Sequence, residues 1–249
     1  MFGLNHFRKC PIEQRISHFI VVGAALSGLS YSMILPAHAS LDLESSVVIV
    51  NQTDGEGSIG LRNTSSEPLL LHSEIIDIPE DVSDVLFVAP SITRVEPGDT
   101  QIVRFILKDD ASLKVERLKR VSFEGIPYAE PNVVRITIRQ NIPLIIRPAQ
   151  LPPDSEPWKF LKWENLDGQI AVENTGPYVV RMGAEIQVQP SGDGIFLPKN
   201  YILPGERVLL RSQQFYPEIR KILFRPASVN GYLLDNQEAL VVEGEVTGN

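Results

Sequence analysis

Cysteine and histidine are nearly missing from this sequence. Its 249 residues hold one Cys and four His, and most of them fall where the chain is not expected to persist. Cys10, His6, His18 and His38 precede residue 40, in a region that begins with Arg8, Lys9 and Arg15 against only Glu13. From Ile20 to Leu35 there is then no Asp, Glu, Lys or Arg, and Ala37-His38-Ala39 follows. A basic start, an apolar run and an A-x-A end read as a secretory signal peptide cleaved after Ala39, leaving Ser40 as the mature N-terminus. The competing reading is an uncleaved anchor, because the run is only slightly shorter than the roughly 17 residues that span a bilayer. Pro36 and the small residues after it favour cleavage.

The remaining chain then has no thiol and only His72. That excludes a disulfide framework, a Cys/His zinc site, a Cys nucleophile and any Ser-His-Asp triad built on another histidine, so no metal, cofactor or catalytic residue is expected. Cationic excess is lacking as well. Three of the 23 Lys and Arg and one of the 31 Asp and Glu lie within residues 1–39, so the other 210 residues carry a net charge of −10. This argues against nucleic acid as a partner. Helical periodicity is also absent, since no segment after residue 40 sustains it for three turns.

Short β-branched runs punctuated by turn residues are what the chain does have. The strand candidates are Val47–Val50, Ser58–Leu61, Leu69–Ile76, Thr100–Leu107 and Val133–Ile146, then Gln169–Val172, Tyr178–Val188, Arg207–Arg211 and Ala239–Val246. Their spacing predicts an all-β chain built as sandwiches. Glu96-Pro97-Gly98-Asp99 and Leu203-Pro204-Gly205-Glu206 each set Pro where φ is about −65° and Gly where φ is positive, the demand of a type II turn. These turns belong to an internal repeat. Ile59-x-Leu61-x-Asn63-Thr64 recurs as Ile170-x-Val172-x-Asn174-Thr175, and each copy leads to a Pro-Gly-acid turn and then to Arg104 or Arg211. Two tandem sandwiches are the simplest account. Four prolines between Pro148 and Pro157 are too stiff and donor-poor for a strand interior, which marks the boundary.

The order of several stretches resembles one family. Phe87-Val88-Ala89-Pro90-Ser91-Ile92-Thr93-Arg94-Val95-Glu96-Pro97-Gly98, Val103-Arg104-Phe105-Ile106, Val121-Ser122-Phe123-Glu124-Gly125-Ile126-Pro127 and Ile145-Ile146-Arg147-Pro148 are similar to the first domain of periplasmic pilus (fimbrial) chaperones of the chaperone–usher pathway. Val172-Glu173-Asn174-Thr175-Gly176-Pro177-Tyr178 fits the second domain. The resemblance implies a boomerang of two immunoglobulin-like β-sandwich domains. The expected layout is a signal peptide over 1–39, a first domain over 40–148, a Pro-rich linker over 149–157 and a second domain over 158–249. It also implies a non-enzymatic protein of the periplasm that binds a pilin subunit, completes its fold with a donated strand and delivers it to an outer-membrane usher. A second copy of the chain, capping the exposed apolar edge, is a further candidate partner.

The residues show how such donation would work. Val134, Ile136 and Ile138 alternate with Arg135, Thr137 and Arg139, so in an extended chain the two sets point to opposite sides. Read in isolation, the apolar set would sooner face the protein's own core. The resemblance instead makes Val134, Ile136 and Ile138 the donor positions, three side chains worth about 1.5–3 kcal/mol each on burial, before the ordering cost. The family's two cations for the pilin C-terminal carboxylate match Ser45 and Pro143 here, neither of them charged. Pro143 also lacks an N–H, so it needs an edge or a bulge. Capture then rests on strand addition alone, on another cation such as Arg139, or on a divergent pilin terminus. The resemblance further implies that Arg147 links Glu116 to a residue of the second domain, Asn230, or Asp235 if the loop is shifted. A surface ion pair of that kind is worth under about 1 kcal/mol and would serve orientation.

Two other functions compete. A secreted hydrolase would use the carboxylates of Asp109-Asp110, although adjacent loop acids point apart. A secreted tandem Ig-like adhesion or binding module would be glycosylated at Asn51-Gln52-Thr53 or Asn63-Thr64-Ser65.

Overall fold

In a computed structural model, residues 40–108, 113–128, 137–210, 212 and 214–244 are described. Among them the only helical element is the 3-10 turn Pro157–Phe160, and the rest of the regular structure is strand. The first sheet contains β1 (Leu41–Leu43), β2 (Val48–Asn51), β3 (Glu56–Asn63), β4 (Leu69–Ile76), β5 (Leu86–Ala89), β6 (Ile92–Val95), β7 (Thr100–Leu107), β8 (Arg117–Pro127) and β9 (Arg139–Arg147). The second contains β10 (Leu161–Leu166), β11 (Gln169–Asn174), β12 (Val180–Gln189), β13 (Gly194–Phe196), β14 (Tyr201–Ile202), β15 (Arg207–Leu210), β16 (Lys221–Pro226) and β17 (Gln237–Glu243).

Each sheet wraps into a sandwich because its alternating apolar side chains need a second layer to cover them. In the first, the ladder runs β5-β7-β3-β2-β9-β8-β4-β6, with β1 also on β3. Strand β2 joins the layers, meeting β3 at Asn51↔Glu56 and running parallel to β9 from Val48↔Leu144 to Asn51↔Arg147. Leu61, Val103 and Phe105 of one layer share a core with Leu71, Val121, Phe123, Leu144 and Ile146 of the other. Phe105 and Phe123 meet edge to face, 6.3 Å between centroids. The second ladder runs β13-β12-β16-β17-β10-β11-β15, with β14 on β12, around Trp163, Val172, Ile186 and Phe224. A smaller apolar seam unites Val47, Ile78, Leu118 and Ile145 of the first sandwich with Val179 of the second.

The repeat has a physical role. Asn63 and Asn174 are both fully buried, and each closes its sandwich in the same way. Asn63 Nδ2 donates to the carbonyls of Glu67 and Val95, and Asn174 Nδ2 to those of Tyr178 and Ile202. Their carbonyls accept from Gly98 and Gly205, the positive-φ residues (81° and 73°) of the two Pro-Gly turns. Asn63 is therefore unavailable as a glycan acceptor, which removes one support of the adhesion-module reading.

Several boundaries differ from the sequence pattern. Strand β9 spans Arg139–Arg147, whereas the expectation ran from Val133 to Ile146; residues 129–136 lie outside the described part. Strand β12 begins at Val180 because Gly176, Pro177 and Tyr178 close the turn around Asn174. Strand β15 ends at Leu210, and β17 runs from Gln237 to Glu243. Asp109 and Asp110 lie outside the described residues.

Candidate functional site

The site is organised by β9, whose two faces divide the work. Its inward series passes from Gln140 and Ile142 to Leu144 and Ile146, and Ile138, just before the strand, continues the same alternation. Leu144 and Ile146 are fully buried, Ile142 packs against the core, and Ile138 is 48% exposed, beyond the end of the core. The apolar stripe is thus the protein's own core at one end and solvent-facing at the other. Val134 and Ile136 fall outside the described residues.

The edge of β9 is half bare. On one side it pairs with β8 throughout, from Arg117↔Ile146 to Glu124↔Arg139. On the other, β2 pairs only from Leu144 onward, which leaves residues 139–143 without a ladder partner among the described residues. Pro143 stands at the last position before that pairing begins, where a missing N–H costs the ladder least. Opposite it the chain between β1 and β2 changes partners through Ser45, whose hydroxyl accepts from the Val47 N–H. An unpaired strand edge of this kind is a template for another strand.

The outward series of β9 meets a different environment at each step. Thr137 and Arg139 both bond Glu124, at 2.8 and 2.9 Å, and Arg139 comes within 4.0 Å of Glu74. Glu124 raises the Arg139 guanidinium above its ordinary value, and Thr137 and Arg139 hold the Glu124 carboxyl below its own. Arg139 is therefore held on the outer face by Glu124. Asn141 and Pro143, the next two outward residues, line a cleft of about 430 Å³ that also includes Ser46, Arg120, Arg181 and Tyr201.

This cleft holds two cations that the sequence analysis did not single out. Arg120 donates to the side chain and carbonyl of Asn141, at 2.6 and 2.8 Å. Arg181, from β12, donates to the carbonyls of Ser228 and Val229 at 2.8 and 3.0 Å. No carboxylate among the described residues forms an ion pair with either. Burial pushes the Arg181 guanidinium below its ordinary value, opposed only by the charge of Glu116. Two half-buried guanidiniums that no carboxylate among the described residues bonds directly favour an anion in the cleft. The available signal was an arginine inside an apolar run, Tyr178-Val179-Val180-Arg181-Met182.

Beyond the cleft, Arg147 donates to Glu116 Oε1 at 3.0 Å. Both are largely buried, with 13% and 4% of their side chains exposed, so this is not the surface pair expected. The second sandwich is reached by Glu116 itself. Its Oε2 accepts from the Val179 N–H at 3.0 Å, and its own N–H donates to the Pro177 carbonyl at 2.8 Å. Asn230 contributes its backbone carbonyl, which accepts from the Ser46 hydroxyl, rather than its side chain, and Asp235 is exposed. Arg147 connects to the second sandwich through Glu116 because that carboxylate has two oxygens to share.

Paired sandwiches, with one strand part-unpaired beside a cleft that holds two arginines, define a two-domain all-β protein. Residues 40–152 match the family model "Pili and flagellar-assembly chaperone, PapD N-terminal domain". Over 192 residues, 76% of this chain and 85% of the relative, the sequence is 40% identical to the "Uncharacterized fimbrial chaperone YhcA" of Escherichia coli strain K12. The chain belongs to the fimbrial chaperones, the proteins of pilus assembly. Its fold is shared with the Pseudomonas aeruginosa CupB2 chaperone, at TM-score 0.64 and 22% identity over 80% of this chain and all of that one. It is also shared with the structure of the Salmonella enterica SafA pilin in complex with the SafB chaperone, at TM-score 0.66 and 20% identity over 83% and 98% of the chains.

Proposed function

We propose that this chain captures pilin subunits in the periplasm by lending them the free edge of β9, and then passes them to an outer-membrane usher. The observation that carries this reading is the divided strand. Leu144 and Ile146 fix β9 in the chaperone's core, while Ile138, at the far end of the same alternating series, is half exposed just before the unpaired edge at residues 139–143. On this reading Val134, Ile136 and Ile138 enter the apolar groove of a subunit that lacks a strand of its own. The SafB chaperone in complex with the SafA pilin supports the same role.

Arg120 and Arg181 take the place of the cations missing at Ser45 and Pro143, and hold the carboxylate at the subunit's C-terminus. Arg139 is left to the outer face with Glu124. Glu116 and Arg147 set the relation between the sandwiches, with Asn230 supporting it through its backbone. The domain limits proposed are 1–39 for a cleaved signal peptide, 40–148 and 158–249 for the two sandwiches, and 149–157 for the linker between them. A free edge of this length also suits capping by a second copy of the chain when no subunit is present.

Co-expression with a pilin subunit tests the reading. A one-to-one complex recovered from the periplasm, with the chaperone beginning at Ser40, is the expected result. Subunit that aggregates equally with and without this chain would overturn it.

A further inference from the structure

The ion pairs of the first sandwich include one group with no evident need to be buried. Lys119 is 1% exposed, and its ammonium reaches Asp77 Oδ1 at 2.6 Å, the Asp81 carbonyl at 2.7 Å and Asp81 Oδ1 at 3.2 Å. All three of its donors are thus directed at one short turn. Arg117 holds the same turn through both oxygens of Asp81, at 2.7 and 2.6 Å. Within the turn the Asp81 N–H donates to the Ile78 carbonyl, and Ile78 is buried in the seam between the sandwiches. Burying a lysine and fixing a five-residue turn from inside is costly unless the position of that turn matters.

At the tip of the turn is Glu80, and both of its carboxylate oxygens are gripped by the second sandwich. Lys199 Nζ bonds Oε1, and the Tyr201 hydroxyl donates to Oε2 at 3.0 Å. Lys199 also reaches Glu206 at 2.6 Å and lies 4.4 Å from the centre of the Tyr201 ring. Bonds from Lys199 and Tyr201 draw the Glu80 carboxyl below its ordinary value against the effect of burial. The bonds to Glu80 use none of the polar atoms of the Glu116–Arg147–Val179 contact, although Tyr201 and Ile78 pack in the same apolar seam as Val179. The two contacts do land on adjoining strands, because Arg181 of β12 pairs directly with Tyr201 of β14.

We infer that the turn at residues 77–81 is a second clamp between the sandwiches, with Glu80 as its positioning residue, and that it sets where Arg181 stands relative to Arg120. The Glu116 bonds, the Ser46–Asn230 bond and the apolar seam already join the sandwiches, and the grip on Glu80 adds a further polar point, on the neighbouring strand, that opposes rotation about them. Lys119 and Arg117 make the clamp rigid from the first sandwich, and Glu206 orients Lys199 from the second. That the clamp thereby fixes the width of a subunit-binding cleft rests on the function proposed above.

Residual dipolar couplings of the free protein test the clamp without any subunit. In the wild type, couplings from the two sandwiches should fit one common alignment tensor. Glu80→Ala, Lys199→Ala and, more weakly, Tyr201→Phe should each lose that common fit, with the amide shifts around Phe105 and Trp163 unchanged. A role confined to stability would lower the unfolding midpoint but keep the single tensor, and that result overturns the inference. Tyr201→Phe removes only a hydroxyl, so the test survives if the alanine variants do not fold. Pilin capture is measured separately: a wild type that captures nothing refutes the proposed function and leaves the tensor comparison as it stands.

Discussion

Replacing Ile138 by Asn separates the two ends of the β9 stripe. About half of the Ile138 side chain is already covered, since 48% of it is exposed. Full burial of an isoleucine is worth about 1.5–3 kcal/mol, so covering the rest in a subunit groove supplies about 1 kcal/mol. Asn forfeits that gain and leaves an unpaired amide in an apolar groove, at about 1–3 kcal/mol more. The total of about 2–4 kcal/mol corresponds to a loss of roughly 30- to 700-fold in affinity. In the free protein the same change should cost less than about 1 kcal/mol, because the amide remains in water. Leu144→Asn is the internal control. Leu144 is fully buried, so its replacement should cost about 3–5 kcal/mol or unfold the chain. Urea denaturation of the free variants and titration with a labelled subunit read both quantities. The reasoning fails if Ile138→Asn destabilises the free protein as much as Leu144→Asn does, or if capture is unchanged.

Other outcomes follow from the polar contacts. Glu116→Ala orphans the Val179 N–H and a largely buried Arg147, and should cost about 3–5 kcal/mol in urea unfolding, while Glu116→Gln costs less. Burial works against ionisation of Asp81, but bonds from Arg117, Ser83 and Lys119 pull its carboxyl far below the ordinary value. A depressed folded-state pKa stabilises fully above the unfolded value of about 3.9 and is lost as pH falls toward the folded one. The stability gap between wild type and Asp81→Asn should therefore be full at neutral pH and shrink below about pH 4, as read by melts across pH. Arg181→Met should weaken binding of a peptide with the subunit's free C-terminal carboxylate by roughly 10- to 100-fold, as a lost charged hydrogen bond of about 1.5–3 kcal/mol implies. Calorimetry with the C-terminally amidated peptide should show no such difference between wild type and variant.

What could be read from the sequence depended on whether a residue's partners were local. Strands β4 and β7 coincide with their apolar runs because alternation needs only a sheet with one covered face. The two Pro-Gly turns were legible because φ is a local property. Strand β8, the longest, was not foreseen as one: Arg117, Lys119, Arg120 and Glu124 interrupt its pattern, and Lys119 points inward, where sequence places apolar residues. Only Asp77 and Asp81, brought in from another part of the chain, make that burial tolerable. Strand β10 hid for the same reason, with Glu164 buried beneath Lys162 and Arg207. Resemblance located Arg147 and Glu116, but their burial, and the reach of Glu116 to Val179, depend on how the two sandwiches meet. The cleft arginines belong to the same class of long-range fact.

The β9 stripe also acts as a ruler. Because Leu144 and Ile146 are locked into the interior, the phase of every side chain earlier in the strand is fixed with respect to the body of the protein. One residue inserted between Arg139 and Pro143 would turn Ile138 to the face now held by Arg139, reversing inside and outside for all that precedes it. Two inserted residues would restore the face and shift it along the strand by about 7 Å. A strand aligned beside this edge would thus inherit its spacing from the packing of the chaperone's own interior, and the length of the segment between core and edge is constrained in steps of two.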